Sequence, residues 1–167
     1  NISAGEAQYT CICNHEGGIV DDVIVYCFSP EKIMFCINAA NREKDSSWLE
    51  ENNPNPAVQV RRASDDYAQI AIQGPLAEQV LQKLTDLNLA EIPYYGFRVG
   101  TVEGIEECIV ARTGYTGEDG FEIFIKNNDA QKVWENLLEL GAIPCGLAAR
   151  DTLRLEVCYP LYGKELD

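Results

Sequence analysis

The run Asn52-Asn53-Pro54-Asn55-Pro56 constrains this chain more than any other stretch. Proline fixes φ and removes a backbone N–H, and it pushes the residue before it towards extended backbone. A helix arriving from residues 41–50, where Asp45, Trp48 and Leu49 stand among charges, therefore has to stop there. The run is the clearest linker in the 167 residues, and the patterning differs on its two sides. Before it, 19–28 and 32–38 are β-branched and aromatic runs parted by Ser29-Pro30-Glu31, which predicts a hairpin, and a strand near 8–14 reaches them through Glu16-Gly17-Gly18. After it comes a strand at 68–73. Gly74-Pro75 then opens a helix with Leu76, Val80, Leu81 and Leu84 on one side. Strands near 97–102, 107–112 and 121–126, a helix at 129–140 and a last helix at 148–156 complete the series. The succession predicts an α+β architecture of antiparallel sheets with helices on one face.

Composition narrows the function. Hydrophobic residues make up 46% and charged ones 24%, as in an ordinary folded chain. No apolar run approaches the roughly 20 residues that cross a bilayer. The net charge of −14 argues against nucleic acid or an anionic membrane as partner, because both reward Lys and Arg. The single histidine, His15, leaves out mechanisms that need two. Cys11, Cys13 and His15 share one face if 8–14 is a strand, but they are spread along it without a fourth ligand, so no metal is expected. Cys27, Cys36, Cys108 and Cys158 sit in apolar runs and read as small buried hydrophobes in a reducing compartment.

Three stretches carry candidate chemistry. Asp21-Asp22 lies inside the most apolar strand, where adjacent side chains point to opposite faces, so one carboxylate faces a core or a cavity. The bland alternative is an edge residue at the strand's start. Residues 112–123 join two strands through Gly114, Gly117 and Gly120, and the stretch has no Lys-Ser/Thr of a phosphate loop. It reads either as a plain hairpin with an acidic turn or as a loop something approaches closely. Glu122, between Phe121 and Ile123, is harder to dismiss. Arg150 and Arg154 stand at i, i+4 in 148–156, a spacing that suits either a grip on a carboxylate or planar ring, or ordinary surface charge.

The sequence resembles the aminomethyltransferase (T-protein) family of the glycine cleavage system. The likeness is carried by Ala7-Gln8-Tyr9, by Gly17-Gly18-Ile19-Val20-Asp21-Asp22, by Asn38-Ala39-Ala40-Asn41 before Lys44-Asp45, and by Ile72-Gln73-Gly74-Pro75. It continues through Arg112 to Ile123, through Pro144 to Glu156, and into Pro160-Leu161-Tyr162-Gly163. It is to the central portion of that family, and the chain, opening at Asn1 without Met, is expected to be a piece of a longer protein.

The resemblance implies a three-domain folate enzyme. It implies transfer of the one-carbon unit from an aminomethyl group on the lipoyl arm of the H-protein to tetrahydrofolate, with release of ammonia and without a metal. By motif position it makes Asp22 the essential aspartate, and Tyr9, Asn38, Tyr115, Glu122, Arg150 and Tyr159 the folate-contacting residues, with Arg154 a weaker candidate. Asp21, on the other face of its strand, is expected to matter far less. Residues 1–55 are then part of the second, β-rich domain, 56–145 a ferredoxin-like part of the first, and 146–167 a helix and a return towards the second. The alternative reading is a folate-binding module of a demethylating dehydrogenase or of an iron–sulfur assembly protein. The compartment implied is the cytoplasm of a bacterium or the mitochondrial matrix of a eukaryote. The isolated chain is expected to self-associate and to transfer little.

Overall fold

The computed structural model describes residues 2–166. They form two units, one of residues 2–65 with 161–166 and one of residues 66–160, so the second is inserted in the sequence of the first. Residues 56–65, expected to open the second segment, belong to the first. Side chains hold them there. The Arg62 guanidinium forks onto Glu50 at 2.8 Å and reaches Glu43 at 2.7 Å, both on the preceding helix, and Arg42 meets Asp65 at 2.6 Å.

In the first unit β1 (Ala7–Cys13), β2 (Ile19–Ser29) and β3 (Lys32–Cys36) make an antiparallel sheet in that order. Register puts Ala7 opposite Tyr26 and Cys11 opposite Asp22 on one face, and Ile12 opposite Asp21 on the other. Alternation along β2 therefore sends the two aspartates to opposite sides. Helix α1 (Arg42–Glu51) is mostly polar, with Trp48 and Leu49 half-buried, and the residues it buries fully are Asp45 and Ser46. The segment 161–166 returns to this unit, where Lys44 Nζ stands 4.0 Å over the Tyr162 ring.

The expected common face for Cys11, Cys13 and His15 does not form. The ladder shifts register between Ile12 and Cys13, and Asn14 then turns the chain, its Oδ1 accepting from the backbone N–H groups of Glu16 and Gly18. His15 lies beyond the strand, tilted against Trp48 and bonded to Asn52 at 3.0 Å.

In the second unit β4 (Tyr67–Gln73), β5 (Phe97–Val102), β6 (Ile105–Ala111) and β7 (Gly120–Lys126) form an antiparallel sheet ordered β4-β7-β6-β5. Helices α2 (Ala77–Leu81) and α3 (Ala130–Glu139) cover one face. The core lies between: Ile70, Ile72, Phe121, Ile123 and Ile125 from the strands meet Leu81, Val133 and Leu137 from the helices. Helix α4 (Leu147–Glu156) follows. The architecture is α+β with antiparallel sheets.

Strand β7 lies antiparallel between β4 and β6. Two expectations need correction. Helix α2 is five residues long rather than running to Leu84, and Leu76 is exposed; the Gln82 side chain ends it by accepting from Leu89 N–H and donating to the Leu87 carbonyl. Cys27 and Cys108 are buried as expected, but Cys36 is only half-buried, and Cys158 is exposed with φ of 60°, because it stands just past the end of α4 rather than in a strand.

Candidate functional site

Each unit carries one cluster of the singled-out residues. In the first, Asp22 is half-buried in the first half of β2. Tyr9 is its diagonal neighbour on β1 and donates from its hydroxyl to Asp22 Oδ2 at 2.8 Å. Asn38 lies just beyond β3, where its amide nitrogen reaches both aspartates: Asp21 Oδ1 at 2.9 Å, Asp22 Oδ1 at 3.0 Å and the Asp22 carbonyl at 3.1 Å. The structure thus brings Tyr9, Asn38 and Asp22 together, and the two partners fix the direction of the carboxylate. Asp21 is the buried member of the pair. Cys11 faces Asp22 across the ladder, and burial together with that charge pushes its thiol up, away from nucleophilic thiolate.

In the second unit Glu122 is central on β7, on the sheet face away from α2 and α3. Its direct neighbours on the adjacent strands are the small residues Ala71 and Ala111. Gln69 Nε2 donates to Oε1 at 2.8 Å and Thr113 Oγ1 to Oε2 at 2.6 Å. Burial pushes the carboxyl up, while Thr113, the Arg150 charge and Gln69 oppose that. Each carboxylate oxygen has a further lone pair for an incoming donor.

The loop 113–119 is drawn tight beside Glu122. Gln73 Nε2 donates to the Thr113 and Phe121 carbonyls, and its side chain lies so close that a β-carbon at Gly114 would fall 1.8 Å from Gln73 Oε1. Arg112 closes the loop from outside, bonding Asp119 at 2.8 and 2.6 Å and Glu78 at 2.8 Å.

That loop presents Tyr115. Arg150 on α4 stands over its ring at 4.6 Å, and Tyr159 stacks against it with centroids 5.8 Å apart. The Tyr115 hydroxyl donates to the Pro160 carbonyl. Arg154 does not join Arg150. It is buried, bonded to Asp151 at 2.8 Å and to the Tyr159 carbonyl at 3.0 Å, so it shapes the turn that carries Tyr159. Tyr94, which no sequence pattern singles out, meets the Tyr159 hydroxyl with its own. Gln69 and Thr113 carry no local signal either, for their roles depend on strand register.

Among the described residues no group of three or more His, Cys, Asp or Glu is placed to hold a metal ion, and no helix is long and apolar enough to cross a membrane. Within the second unit, a buried acceptor and a cation stacked on an aromatic ring make up a donor and acceptor set for a flat, polar heterocycle; the first unit separately carries a tethered carboxylate.

The chain belongs to the GCVT N-terminal domain family, whose model matches residues 1–167. Relatives include the aminomethyltransferase of Bacteroides fragilis, 50% identical over 100% of this chain and 48% of that protein. The aminomethyltransferase of a Thermoanaerobacter species is 48% identical over 99% of this chain and 46% of its own length. The crystal structure of glycine cleavage system aminomethyltransferase T from Bartonella henselae matches with a TM-score of 0.82 at 30% identity, covering 99% of this chain and 44% of that one. The chain therefore spans about half the length of the relatives it matches.

Proposed function

We propose that the protein of which this chain is part is a tetrahydrofolate-dependent aminomethyltransferase of the glycine cleavage system. It takes the aminomethyl group from the lipoyl arm of the H-protein, releases ammonia and passes the one-carbon unit to tetrahydrofolate. The observation that carries the reading is Glu122, a buried carboxylate with lone pairs to spare on a sheet face not covered by α2 or α3, in the unit where Arg150 stacks on Tyr115. The relatives named above are aminomethyltransferases, which favours transfer over a folate-binding module of a demethylating dehydrogenase or an iron–sulfur assembly protein. In family terms, the first unit is then part of the second, β-rich domain and the second unit part of the first. The bacterial relatives favour a bacterial cytoplasm as the place of work.

The residues divide the work by chemistry. Glu122 accepts from the amino and ring N–H edge of a pterin, and Arg150 donates to an acceptor edge or a tail carboxylate. Tyr115 and Tyr159 pack on the ring. Tetrahydrofolate, when bound, supplies the nitrogen that receives the carbon. Asp22, whose direction Tyr9 and Asn38 fix, stabilises the positive charge that builds on carbon as its bond to sulfur or nitrogen breaks. No Cys or His nucleophile is needed.

The test is folate affinity of the whole protein by calorimetry. Glu122→Gln and Arg150→Ala should each weaken binding by roughly 1.5–3 kcal/mol, the scale of a charge-assisted hydrogen bond. Wild-type affinity in both variants would sink the assignment.

A further inference from the structure

The chemistry proposed above leaves one pair of buried carboxyls unused. Asp21, on the face of β2 opposite to Asp22, and Asp45, on α1, are both fully buried. Asp21 is well supplied with donors: Asn38 Nδ2 at 2.9 Å and the Asp22 backbone N–H at 2.9 Å on Oδ1, and Asn41 Nδ2 at 3.0 Å on Oδ2. Asp45 is not. Neither of its oxygens has a hydrogen-bond partner among the described residues, although its carboxyl lies at bonding range of Asp21. Among the described residues the cation near it, Lys44, is 3.7 Å from Oδ1 and is directed elsewhere, donating to the Val20 carbonyl and standing over Tyr162.

Two facing carboxylates are both acceptors, so their contact in a buried place is repulsive unless one carries a proton. Asp21, with three donors, is the better anion. The proton belongs on Asp45.

We infer that Asp45 is a neutral acid donating its proton to Asp21, and that this carboxyl pair positions Asp22 through Asn38, whose one amide nitrogen touches both Asp21 and Asp22. The inference rests on the reading of Asp22 as the reacting carboxylate. Asp45 is a positioning residue, acting on the chemistry only through Asp21 and Asn38. With the proton in place, Asp21 holds Asn38 and Asn41 as a fixed acceptor. Without it, the two charges push apart and the Asn38 amide loses its seat.

The electrostatics agree with the geometry. Burial, then the hydrogen bond to Asp21 and its charge, push Asp45 up to about 7, with Lys44 opposing. Burial works against the charge of Asp21 too, but the bonds from Asp45, Asn38, Asn41 and the Asp22 N–H hold it below the usual carboxylate range. The charged or titratable groups set around the pair are Asp22 on β2, Cys11 on β1 and Lys44 on α1. Loss of the Asp45 proton therefore falls near neutral pH and disturbs Asn38 on the alkaline side.

The experiment follows the side-chain amide resonances of Asn38 in the whole protein from about pH 5 to about pH 9, a window spanning that titration. In wild type they should move with a midpoint near 7, and in Asp22→Asn the same movement should persist. Asp45→Asn supplies an N–H donor to Asp21 with no proton to lose, so its trace should be flat. Should that variant fold poorly, Asp21→Asn should carry the midpoint to lower pH by removing the facing charge. Turnover adds a second readout. Asp45→Ala should lower kcat roughly 10- to 100-fold with little change in KM for folate, Asp45→Asn should rescue most of that loss, and it should lack the wild type's decline above about pH 7. A flat wild-type trace, or a titration that survives in Asp45→Asn, overturns the inference. The resonances need neither folate nor turnover, so they would show whether the pair shares a proton even in an enzyme that proved not to be an aminomethyltransferase.

Discussion

Glu122 is held where its neutral form is favoured, among donors that prefer its charge. The folded-state pKa is raised, so as pH climbs past about 4.3 the unfolded chain ionises first and stability falls until the folded carboxyl also lets go. Glu122→Gln removes that decline. Its new amide accepts from Gln69 and donates to Thr113, whose hydroxyl reverses. The variant should match wild type in acid and exceed it at neutral pH in urea unfolding, while binding folate more weakly. Asp22→Asn should lower turnover by about 10²–10⁴ without loss of stability, measured as methylene-folate formed from the loaded carrier. Strand alternation alone makes Asp21→Asn the cheaper change, because Asp21 lies on the other face. It does lie there, but it is buried with three donors, so its cost should appear as about 1–3 kcal/mol of stability. Both Asp21 and Glu122 are legible as charges inside apolar strands. Thr113, Gln69, Tyr94 and the pairing of Asp45 are not, because a polar residue in a loop or on a polar helix looks the same whether or not a partner across the fold waits for it.

At the scale of elements, the hairpin loop between β6 and β7 is held by charge rather than by apolar packing. The Arg112 bond pulls the Asp119 carboxyl below the usual range, so that contribution is present above the unfolded value and is lost as pH falls through the folded one. Asp119→Ala should cost about 0.5–1 kcal/mol by urea unfolding, because the carboxylate is partly exposed and screened, and the difference from wild type should shrink in acid. Strands are the easiest elements to read, since their β-branched runs sit between turn residues, and all seven fall within a few residues of expectation. Helix α2 departs from its pattern for a physical reason. The apolar spacing is genuine, yet Gln82 offers the chain better hydrogen bonds in a turn, and Leu84 packs on the core from there without a helix. Likewise Arg150 and Arg154 share a helix face by spacing, but Asp151 and the Tyr159 carbonyl capture one of them. Spacing places side chains; it does not say who is already engaged.

For the whole molecule the dominant fact is a net charge of −14 on 167 residues. Self-repulsion at that level weakens the folded state and is screened by salt. The urea midpoint should rise from about 10 mM to about 0.5 M sodium chloride, and a fall would show that specific ion pairs such as Arg62 with Glu43 and Glu50 outweigh the global term. The insertion of one unit within the sequence of the other has a consequence for synthesis. When α1 leaves the ribosome, the Tyr162 ring that lies under Lys44 has not been made, and residues 66–160 must come first. At common elongation rates that interval lasts roughly 5–20 s. The second unit has all of its own strands in hand by then. The first waits through that interval without the segment that meets α1, and so it is the part of the nascent chain on which a chaperone would act.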